Sequence, residues 1–333
     1  MLHVPGEKEN PLATFDVSVI GELNLDLILA GLPTELTLER EHLANDLNLT
    51  LGSSSAIFAY NLASIGNKVG FSSSIGSDPL GEICLKRLGE SGVDLSRVRR
   101  MSGKKTGLTV ILPQGKQRYI LTYPGTMFEM SEKDLDLDYI FDARHLHVSS
   151  YFLQKGLQPA LPGIFRKAKQ AGLSTSLDTN DDPEDRWDSQ IESLLKYTDV
   201  LLPNAREACK LARVDDVARA VELLSQKVEI VGVKRGSGGA IAKRGAEQYE
   251  AWPPTVDSID HVGAGDSFDA GFLHEFIRGG KIEDCLKLGN IVGALSVTRS
   301  GGTEAFREAE HREKFLQGHG AKLRESPATH AKR

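Results

Sequence analysis

The region from residue 145 to residue 240 alternates strand patterns with helix patterns, and this alternation limits the possible folds more than any other feature. Apolar strand patterns occur at HLHVSS (145–150), LSTSLD (173–178), DVLLPN (199–204) and VEIVGVKRG (228–236). Helical patterns lie between them, such as GLQPALPGIFRKAKQAG (156–172). Strands joined by helical crossovers form parallel sheets with right-handed connections. We therefore predict an α/β fold with a doubly wound, mainly parallel sheet flanked by helices, which binds ligands at the carboxyl ends of its strands.

Two strand-rich pieces interrupt this alternation, at about 24–51 and 105–125. The second piece contains the turn sequence PQGKQ (113–117) between two apolar runs, which predicts a hairpin. We expect the two pieces to form a small β-sheet lid that covers the carboxyl ends of the main sheet. The predicted organisation is a single domain over residues 12–318 that includes this lid, followed by a polar, flexible tail at 319–333.

Composition and charge exclude several classes of protein. A net charge of −6 and a pI near 5.9 do not suit a nucleic-acid-binding surface. No apolar run reaches the ~18 residues of a membrane helix, and the first ten residues lack the apolar core of a signal peptide. The three cysteines, Cys84, Cys209 and Cys285, have no metal-ligand spacing, which favours a reducing compartment. We therefore expect a cytoplasmic protein with no nucleic-acid or membrane partner.

The sequence DHVGAGDSFDAGF (260–272) places two glycines and an aspartate at the start of a helical pattern. A helix start exposes backbone N–H groups that have no partner and attract anions, and Gly263 and Gly265 leave that backbone accessible. Asp266 would repel an anion, unless it accepts a proton from the group that attacks a phosphate. The spacing therefore predicts phosphoryl transfer with Asp266 as general base. The alternative is a helix-capping aspartate after a glycine turn.

Three further segments carry polar residues at suggestive spacings. Asn204 and Glu207 of PNAREA (203–208) can share one face of a helix start, although Asn is also a favoured helix cap. Asn24 and Asp26 of GELNLD (21–26) lie on one face of a strand, where an amide and a carboxylate can hold sugar hydroxyls. In VGVKRGSGGA (231–240) a strand enters a glycine-rich turn, and neither a P-loop nor a dinucleotide fingerprint occurs.

Together these features resemble the ribokinase-like carbohydrate kinases of the pfkB family, from about Asp16 to about Phe306. The resemblance implies a ribokinase-like fold and an ATP- and Mg²⁺-dependent kinase with Asp266 as base and Gly263, Ala264 and Gly265 as anion hole. It implies that Asn204 and Glu207 organise Mg²⁺ through water. ATP contacts are implied at Asn204, Lys234, Gly236, Ser237 and Asn290, and a possible K⁺ site is implied at Asp260, Val262, Ser296, Arg299 and Gly301.

At the substrate end we expect contacts from Asn24, Asp26, Gly52, Ser53, Arg118 and Tyr123. Arg118 could hold a carboxylate or phosphate with two hydrogen bonds, or it could be a solvated charge on the lid hairpin. The sequence departs from the family pattern, in which a double glycine is followed by an asparagine. Here Gly52 precedes three serines, and Ile57 stands at the position of the asparagine, so the identity of the substrate stays open.

The leading hypothesis is therefore a kinase that phosphorylates the primary alcohol of a sugar or sugar-like substrate. A nucleoside kinase of the adenosine type is the first alternative, with Ile57, Phe58, Tyr123 and Phe128 as an apolar wall for the base. A non-catalytic sugar-binding or regulatory protein of the same fold is the second, although it would be expected to have lost GAGD. The lid could also pair with the lid of a second copy to form a homodimer.

Overall fold

The computed structural model describes residues 13–114, 117–187 and 190–324 of the 333-residue chain. The first residue of the predicted domain, two residues of the PQGKQ turn and residues 325–333 of the predicted tail lie outside these ranges. The strands are β1 Phe15–Ile20, β2 Asn24–Ala30, β3 Asp46–Leu51, β4 Val69–Gly76, β5 Asp94–Met101, β6 Gly107–Gln114, β7 Gln117–Tyr123, β8 Ala143–Val148, β9 Ser174–Leu177, β10 Val200–Leu201, β11 Ile230–Lys234, β12 Ala240–Arg244 and β13 Glu247–Ala251.

The helices alternate with these strands as the sequence predicts. They are α1 Ser54–Ser64, α2 Pro79–Gly89, α3 Leu137–Phe141, α4 Leu161–Gln170, α5 Gln190–Leu195, α6 Ala205–Ala212, α7 Val217–Leu224, α8 Ala264–Phe276, α9 Ile282–Ser296, α10 Glu304–Arg307 and α11 Ala309–Gly318. Short 3₁₀ turns occur at Gly125–Phe128, Glu132–Asp134, Tyr151–Leu153 and Gly236–Gly238. No helix in the described ranges is long and apolar enough to cross a membrane.

The main sheet confirms the predicted doubly wound fold. In the described part of the chain it has nine strands in the order β13-β12-β11-β10-β9-β8-β1-β4-β5. The strands from β11 to β5 run parallel, and the β12–β13 hairpin adds an antiparallel edge that the sequence analysis did not identify. Because the strand order reverses at β1, a crevice opens at the carboxyl ends of the central strands, where ligands bind in sheets of this kind.

A separate sheet of four strands, in the order β3-β2-β6-β7, forms the lid. β2 pairs parallel with β6, and the β2–β3 and β6–β7 pairs are antiparallel. The sequence pattern at 15–31 suggests one strand, but the chain leaves the main sheet at residues 21–23 and enters the lid as β2. A side chain at Gly21 would collide with Ser55, so this exit requires a glycine. Residues 34–45 contain no strand, contrary to the expectation, and are largely exposed.

Helices cover both faces of the main sheet and enclose two hydrophobic cores. One core includes residues of α1, α2, α8 and α9, and the other includes residues of α4, α5 and α7. His145 and His147 of β8 lie between these layers as fully buried strand residues, and each of them bonds to Ser176. Burial lowers the pKa of His147 to about 3, so its imidazole is neutral. The structure therefore agrees with the assignment of both residues to a strand.

The close packing of α8 on α9 generates a stability prediction. A methyl group at Gly271 of α8 would lie 2.7 Å from the carbonyl oxygen of Leu288 and 2.9 Å from Val292, whereas one at Gly163 of α4 would meet nothing within 4 Å. We expect Gly271→Ala to lower the free energy of unfolding by about 1–3 kcal/mol. Gly163→Ala is expected to raise it by roughly 0.5–1 kcal/mol, because alanine favours the helix. Urea denaturation tests the pair, and equal effects would contradict the packing argument.

Candidate active site

The carboxyl ends of β1, β9, β10 and β11 bring together the start of α1, the start of α8 and the loop after β9. The turn into α8 depends on Gly263, whose backbone is left-handed with φ at 73°. A side chain there would also lie 2.6 Å from the Cα of Gly302. Glycine is therefore required both for the conformation and for the close approach of the two loops. The first N–H groups of α8, which include those of Ala264 and Gly265, lack intrahelical partners by geometry and can receive an anion.

Asp266 lies in the first turn of α8 and is half-buried. Burial raises the pKa of its carboxyl to about 7, and the negative charges of Asp178 and Glu22 act in the same direction. The charge of Lys234 and a hydrogen bond from Ser54 oppose this rise. A carboxylate with a pKa near the working pH can both accept and release a proton, as a general base must.

Lys234, at the end of β11, is held between two carboxyl groups. Its Nζ lies 2.9 Å from Asp178 and 2.9 Å from Asp269, and all three side chains are at most 10% exposed. A side chain at Gly265 would lie 3.5 Å from the same Nζ, so the ammonium is next to the glycine turn at the start of α8. We call these three residues the Lys234 cluster. Sequence analysis places Lys234 at the nucleotide, but Asp269 was not identified, although it lies one helical turn after Asp266.

The pKa values of the two carboxyl groups in the Lys234 cluster shift in opposite directions. Burial alone would raise the pKa of Asp178, but the charge of Lys234 and hydrogen bonds outweigh it, so this pKa is lowered. Burial raises the pKa of Asp269 well above its usual range. Burial would lower the pKa of Lys234, yet the two carboxyl groups raise it. The ammonium therefore favours the charged form of both carboxyl groups, and burial opposes it more strongly at Asp269 than at Asp178.

Asn204 and Glu207 form a reciprocal capping box at the start of α6. The backbone N–H of Asn204 donates to Glu207 at 2.9 Å, and the backbone N–H of Glu207 donates to the Asn204 side chain at 3.0 Å. Asn204 is exposed, while Glu207 is buried and its pKa is raised to about 8, first by burial and then by Asp178. The described residues contain no cluster of three or more His, Cys, Asp or Glu that could hold a metal directly. The pair therefore fits Mg²⁺ only through water, which this ion tolerates.

The other predicted nucleotide contacts lie beside β11, β12 and α9. Gly236 and Ser237 are exposed in the 3₁₀ turn that follows Lys234. Asn290 is buried in α9, and its Nδ2 donates to the carbonyl of Ala251 at 3.0 Å. This bond fixes α9 to the end of β13, so Asn290 has a packing role in addition to any contact with a nucleotide.

At the sugar end, Asn24 and Asp26 project from β2 of the lid and are buried. Burial raises the pKa of Asp26 to about 7, the charges of Asp266 and Asp260 add to the rise, and the charge of Arg118 opposes it. The Oδ1 of Asn24 is buried without a hydrogen-bond partner in the described structure, so it can accept a bond from a ligand. A side chain at Gly52 would collide with Asp26.

The loop between the lid and α1 places Ser53 in a left-handed conformation, with φ at 70°. The family pattern has a glycine at this position, which would adopt the conformation without strain. The serine has compensating bonds: its Oγ donates to the carbonyl of Glu22 at 2.5 Å and caps α1 by accepting from Ala56 at 3.1 Å. Arg118 and Tyr123 are exposed on β7 at the edge of the lid.

Ile57 lies under the glycine turn that leads into α8. It is 2% exposed, and side chains at Gly263 or Gly302 would approach its methyl groups to 3.0 Å and 2.6 Å. The departure from the family pattern thus replaces a polar side chain by an apolar contact that packs the two glycine loops together.

The two segments of the predicted K⁺ site are adjacent. The Asp260 carboxylate accepts from the N–H of Val262 at 3.0 Å and from the N–H of Gly301 at 2.9 Å. Ser296 is buried and its Oγ has no described partner, whereas the side chain of Arg299 points to Glu308 at 3.5 Å. The carboxylate of Asp260 therefore ties the loop before α8 to the loop after α9, whether or not a cation binds there.

Glu22 and Asn180 also lie at the candidate site. Glu22, at the end of β1, is buried and accepts from the N–H of Ser55 at 3.3 Å and from its Oγ at 2.7 Å. Asn180, after β9, donates to Ser54 at 2.9 Å. Asn180 can be located from the sequence because it stands two residues after Asp178, at the end of a predicted strand.

The opposite pKa shifts in the Lys234 cluster generate a prediction. Asp269→Asn should lower the free energy of unfolding by less than Asp178→Asn does, because the raised pKa of Asp269 means that its neutral form is the less costly one to substitute. Asp178→Asn should lower it by about 3–5 kcal/mol, because it leaves the buried ammonium of Lys234 without its charged partner. Urea denaturation at pH 7 compares the two variants. Equal losses would show that the two carboxyl groups share the charge.

The comparisons with known proteins agree with this geometry. Residues 14–309 match the model of the pfkB family carbohydrate kinases. An uncharacterized sugar kinase of Archaeoglobus fulgidus is 30% identical over 74% of this chain and 97% of its own length. An ATP-dependent ribose-1-phosphate kinase of Halopiger xanaduensis is 30% identical over 76% and 82%. A putative ribokinase II of E. coli, solved with ATP and Mg²⁺, is 24% identical and superimposes with a TM-score of 0.80 over 91% of this chain and 99% of its own. The chain therefore belongs to the pfkB family and is an ATP-dependent carbohydrate kinase.

Proposed function

We propose that the chain transfers the γ-phosphoryl group of ATP to the primary alcohol of a sugar or sugar-like substrate. Asp266 is the general base, and the N–H groups of Gly263, Ala264 and Gly265 bind the transferred group. The observation that carries the proposal is the left-handed glycine turn into α8 with the half-buried Asp266 one turn later. Phosphoryl transfer depends mainly on positioning and charge stabilisation, and this arrangement supplies both beside the same helix start.

In this proposal the nucleotide lies along the ends of β10 and β11. Mg²⁺ neutralises phosphate charge, and its waters bind Glu207 and Asn204. Burial keeps Glu207 protonated near neutral pH, since its pKa is about 8, and a nearby cation would favour the charged form. The ATP contacts are Asn204, Lys234, Gly236, Ser237 and Asn290. The K⁺ site at Asp260, Val262, Ser296, Arg299 and Gly301 would tighten the anion hole.

The sugar lies between the main sheet and the lid, which excludes water that would otherwise compete with the alcohol. Asp26 and Asn24 accept bonds from its hydroxyl groups, and the proposed contacts are completed by Gly52, Ser53, Arg118 and Tyr123. Exposed apolar residues on the lid, such as Leu47 and Leu121, support the further proposal that two lids pair in a homodimer.

A nucleoside substrate receives less support. Ile57 and Phe58 are 2% and 0% exposed, and Phe58 stacks on His147 with ring centroids 3.9 Å apart. These two residues therefore cannot form a wall against a purine base, which leaves the exposed Tyr123 and Phe128 alone for that purpose.

Replacing the base tests the proposal directly. We expect Asp266→Asn to lower kcat by about 10²–10⁴-fold, while ATP still raises the melting temperature, because the amide keeps the shape of the carboxyl group. The matched control is Asp257→Asn, an exposed carboxylate on the loop that leads to α8, which should keep full activity. An Asp266→Asn variant with most of its turnover would remove Asp266 from the role of base.

The raised pKa values predict a steep dependence on pH. A carboxyl group with a pKa of about 7 holds its proton below pH 7, so both the base Asp266 and the hydroxyl acceptor Asp26 lose their function as pH falls. Because both groups are required in ionised form, each contributes a tenfold loss for every pH unit well below pH 7. The kcat/KM for the sugar should therefore fall by about a hundredfold per pH unit in that range. In Asp26→Asn only one titrating group remains, and the slope should approach tenfold. An unchanged slope would show that the ionisation of Asp26 is not needed.

A further inference from the structure

The start of α8 is hydrogen-bonded to two polar side chains that lie inside the protein, Ser267 of α8 and Asn61 of α1. Both of them are 0% exposed. The Oγ of Ser267 donates to the carbonyl oxygen of Gly263 at 2.6 Å, and the backbone N–H of Ser267 donates to the same oxygen at 2.9 Å. Because a carbonyl oxygen has two lone pairs, both acceptor positions of Gly263 are occupied.

Asn61 connects this turn to α1. Its Nδ2 donates to the Oγ of Ser267 at 2.9 Å and to the carbonyl oxygen of Gly302 at 3.0 Å. A carbonyl oxygen can only accept, so the NH₂ group of the amide must face these two atoms. Because the Ser267 oxygen accepts from Asn61, its single hydrogen is left for Gly263. The bonds therefore run in one direction, from Asn61 to Ser267 and from Ser267 to Gly263.

Asn61 lies four residues after Ile57, so the two side chains share the face of α1 that meets the glycine loops. The Oδ1 of Asn61 is buried without a hydrogen-bond partner in the described structure. A buried acceptor without a partner lowers stability, and an apolar side chain at this position would avoid that loss. What the amide supplies here is therefore its two N–H bonds rather than packing.

The carbonyl group that Ser267 holds belongs to the same peptide unit as the N–H of Ala264. A peptide unit is planar and trans, so its C=O and N–H point in opposite directions, and fixing the Gly263 oxygen also fixes the direction of the Ala264 N–H. This nitrogen lies 3.4 Å from the carbonyl oxygen of His261. That distance exceeds the usual range of about 2.7–3.2 Å, so the bond is weak and can be exchanged for one to an anion.

We infer that Asn61 and Ser267 are positioning residues that aim the N–H of Ala264 at the transferred phosphoryl group, an inference that rests on the proposed anion hole. Negative charge on the transferred group is stabilised best by donors that are already aimed at it, because they need no reorganisation during the reaction. Outright loss of one such donor costs ~10²–10³-fold in kcat. A donor that is present but no longer held in direction should cost less.

The first test removes the hydroxyl group of Ser267. Alanine favours a helix, so Ser267→Ala should fold. Turnover is measured as ADP release, with the pentose or hexose that gives the wild type its highest rate. We expect kcat to fall about tenfold, while KM for the sugar stays unchanged because Ser267 is buried away from the ligands. An unchanged kcat would overturn the inference.

A binding measurement gives a readout that a purely structural role would not move. Aluminium fluoride added to Mg²⁺ and ADP takes the place of the transferred phosphoryl group. Isothermal titration compares the affinity for Mg²⁺–ADP with and without aluminium fluoride, in the presence of the same sugar. In Ser267→Ala we expect the gain from fluoride to be about tenfold smaller than in the wild type, while the affinity for Mg²⁺–ADP alone is unchanged. Equal losses with and without fluoride would contradict the inference.

The second test uses Asn61→Ala, which removes the bonds to both Ser267 and Gly302. It should lower kcat and the gain from fluoride in the same direction as Ser267→Ala. Because Asn61 acts on Gly263 through Ser267, the double variant should lose less than the product of the two single losses. Losses that multiply in full would contradict this order of action.

Thr198 provides a matched control. It is buried, and its hydroxyl group donates to the carbonyl oxygen of Leu194, four residues earlier, at 3.1 Å, as Ser267 does to Gly263. It stands just before β10, at the amino ends of the strands, on the opposite edge of the sheet from the site. Thr198→Val removes this bond and should leave kcat and the gain from fluoride unchanged. A loss equal to that of Ser267→Ala would reduce the effect to general destabilisation and overturn the inference.

The wild-type titration separates this inference from the proposed function. If the wild type gains no affinity from aluminium fluoride, the proposed anion hole fails and the positioning role fails with it. If the wild type gains affinity, and Ser267→Ala and Asn61→Ala gain as much, the anion hole stands and only the positioning role fails.

Discussion

The crowding of carboxyl groups around one buried lysine is the interaction on which the rest of the site depends. Five of them, Glu22, Asp178, Glu207, Asp266 and Asp269, come from four different segments, and Asp26 approaches from the lid. The ammonium of Lys234 bonds to Asp178 and Asp269. Its charge also opposes the rise in the pKa values of Glu207 and Asp266. Without it, burial and mutual repulsion would keep most of these carboxyl groups protonated at neutral pH.

This arrangement explains why the pKa shifts differ so strongly between neighbours. Asp178 and Asp269 contact the same ammonium, yet the pKa of Asp178 is lowered and burial raises the pKa of Asp269. Asp26, Asp266 and Glu207 lie further from it, and their pKa values are about 7, 7 and 8. Carboxyl groups whose pKa values lie this close to neutral pH change charge readily when a cation or a polyanion binds at the site. A site of this kind can therefore adapt its charge to a magnesium–nucleotide complex and still provide a basic carboxylate.

The sequence was informative where function depends on consecutive residues. GAGD places two glycines, a helix start and an acid within four positions, so the turn and the candidate base could be located from the sequence alone. The β–α alternation likewise predicted the parallel sheet. Contacts between distant segments could not be predicted in this way. Asn180 donates to Ser54 and to Ser150, which lie 126 and 30 positions away in the sequence, and only the folded sheet brings these residues together.

At two positions the sequence departs from the family pattern, and at both a contact with a distant segment compensates for the change. Ser53 occupies a left-handed position that favours glycine, but its hydroxyl group caps α1 and bonds to Glu22. Ile57 replaces a polar residue, but it packs against the loops that carry Gly263 and Gly302. The first turn of α1 thus carries both the cap that connects it to Glu22 and the apolar contact that packs the loops of Gly263 and Gly302 together. Because α1 follows the lid directly, a movement of the lid that displaces the start of this helix would act on both elements together.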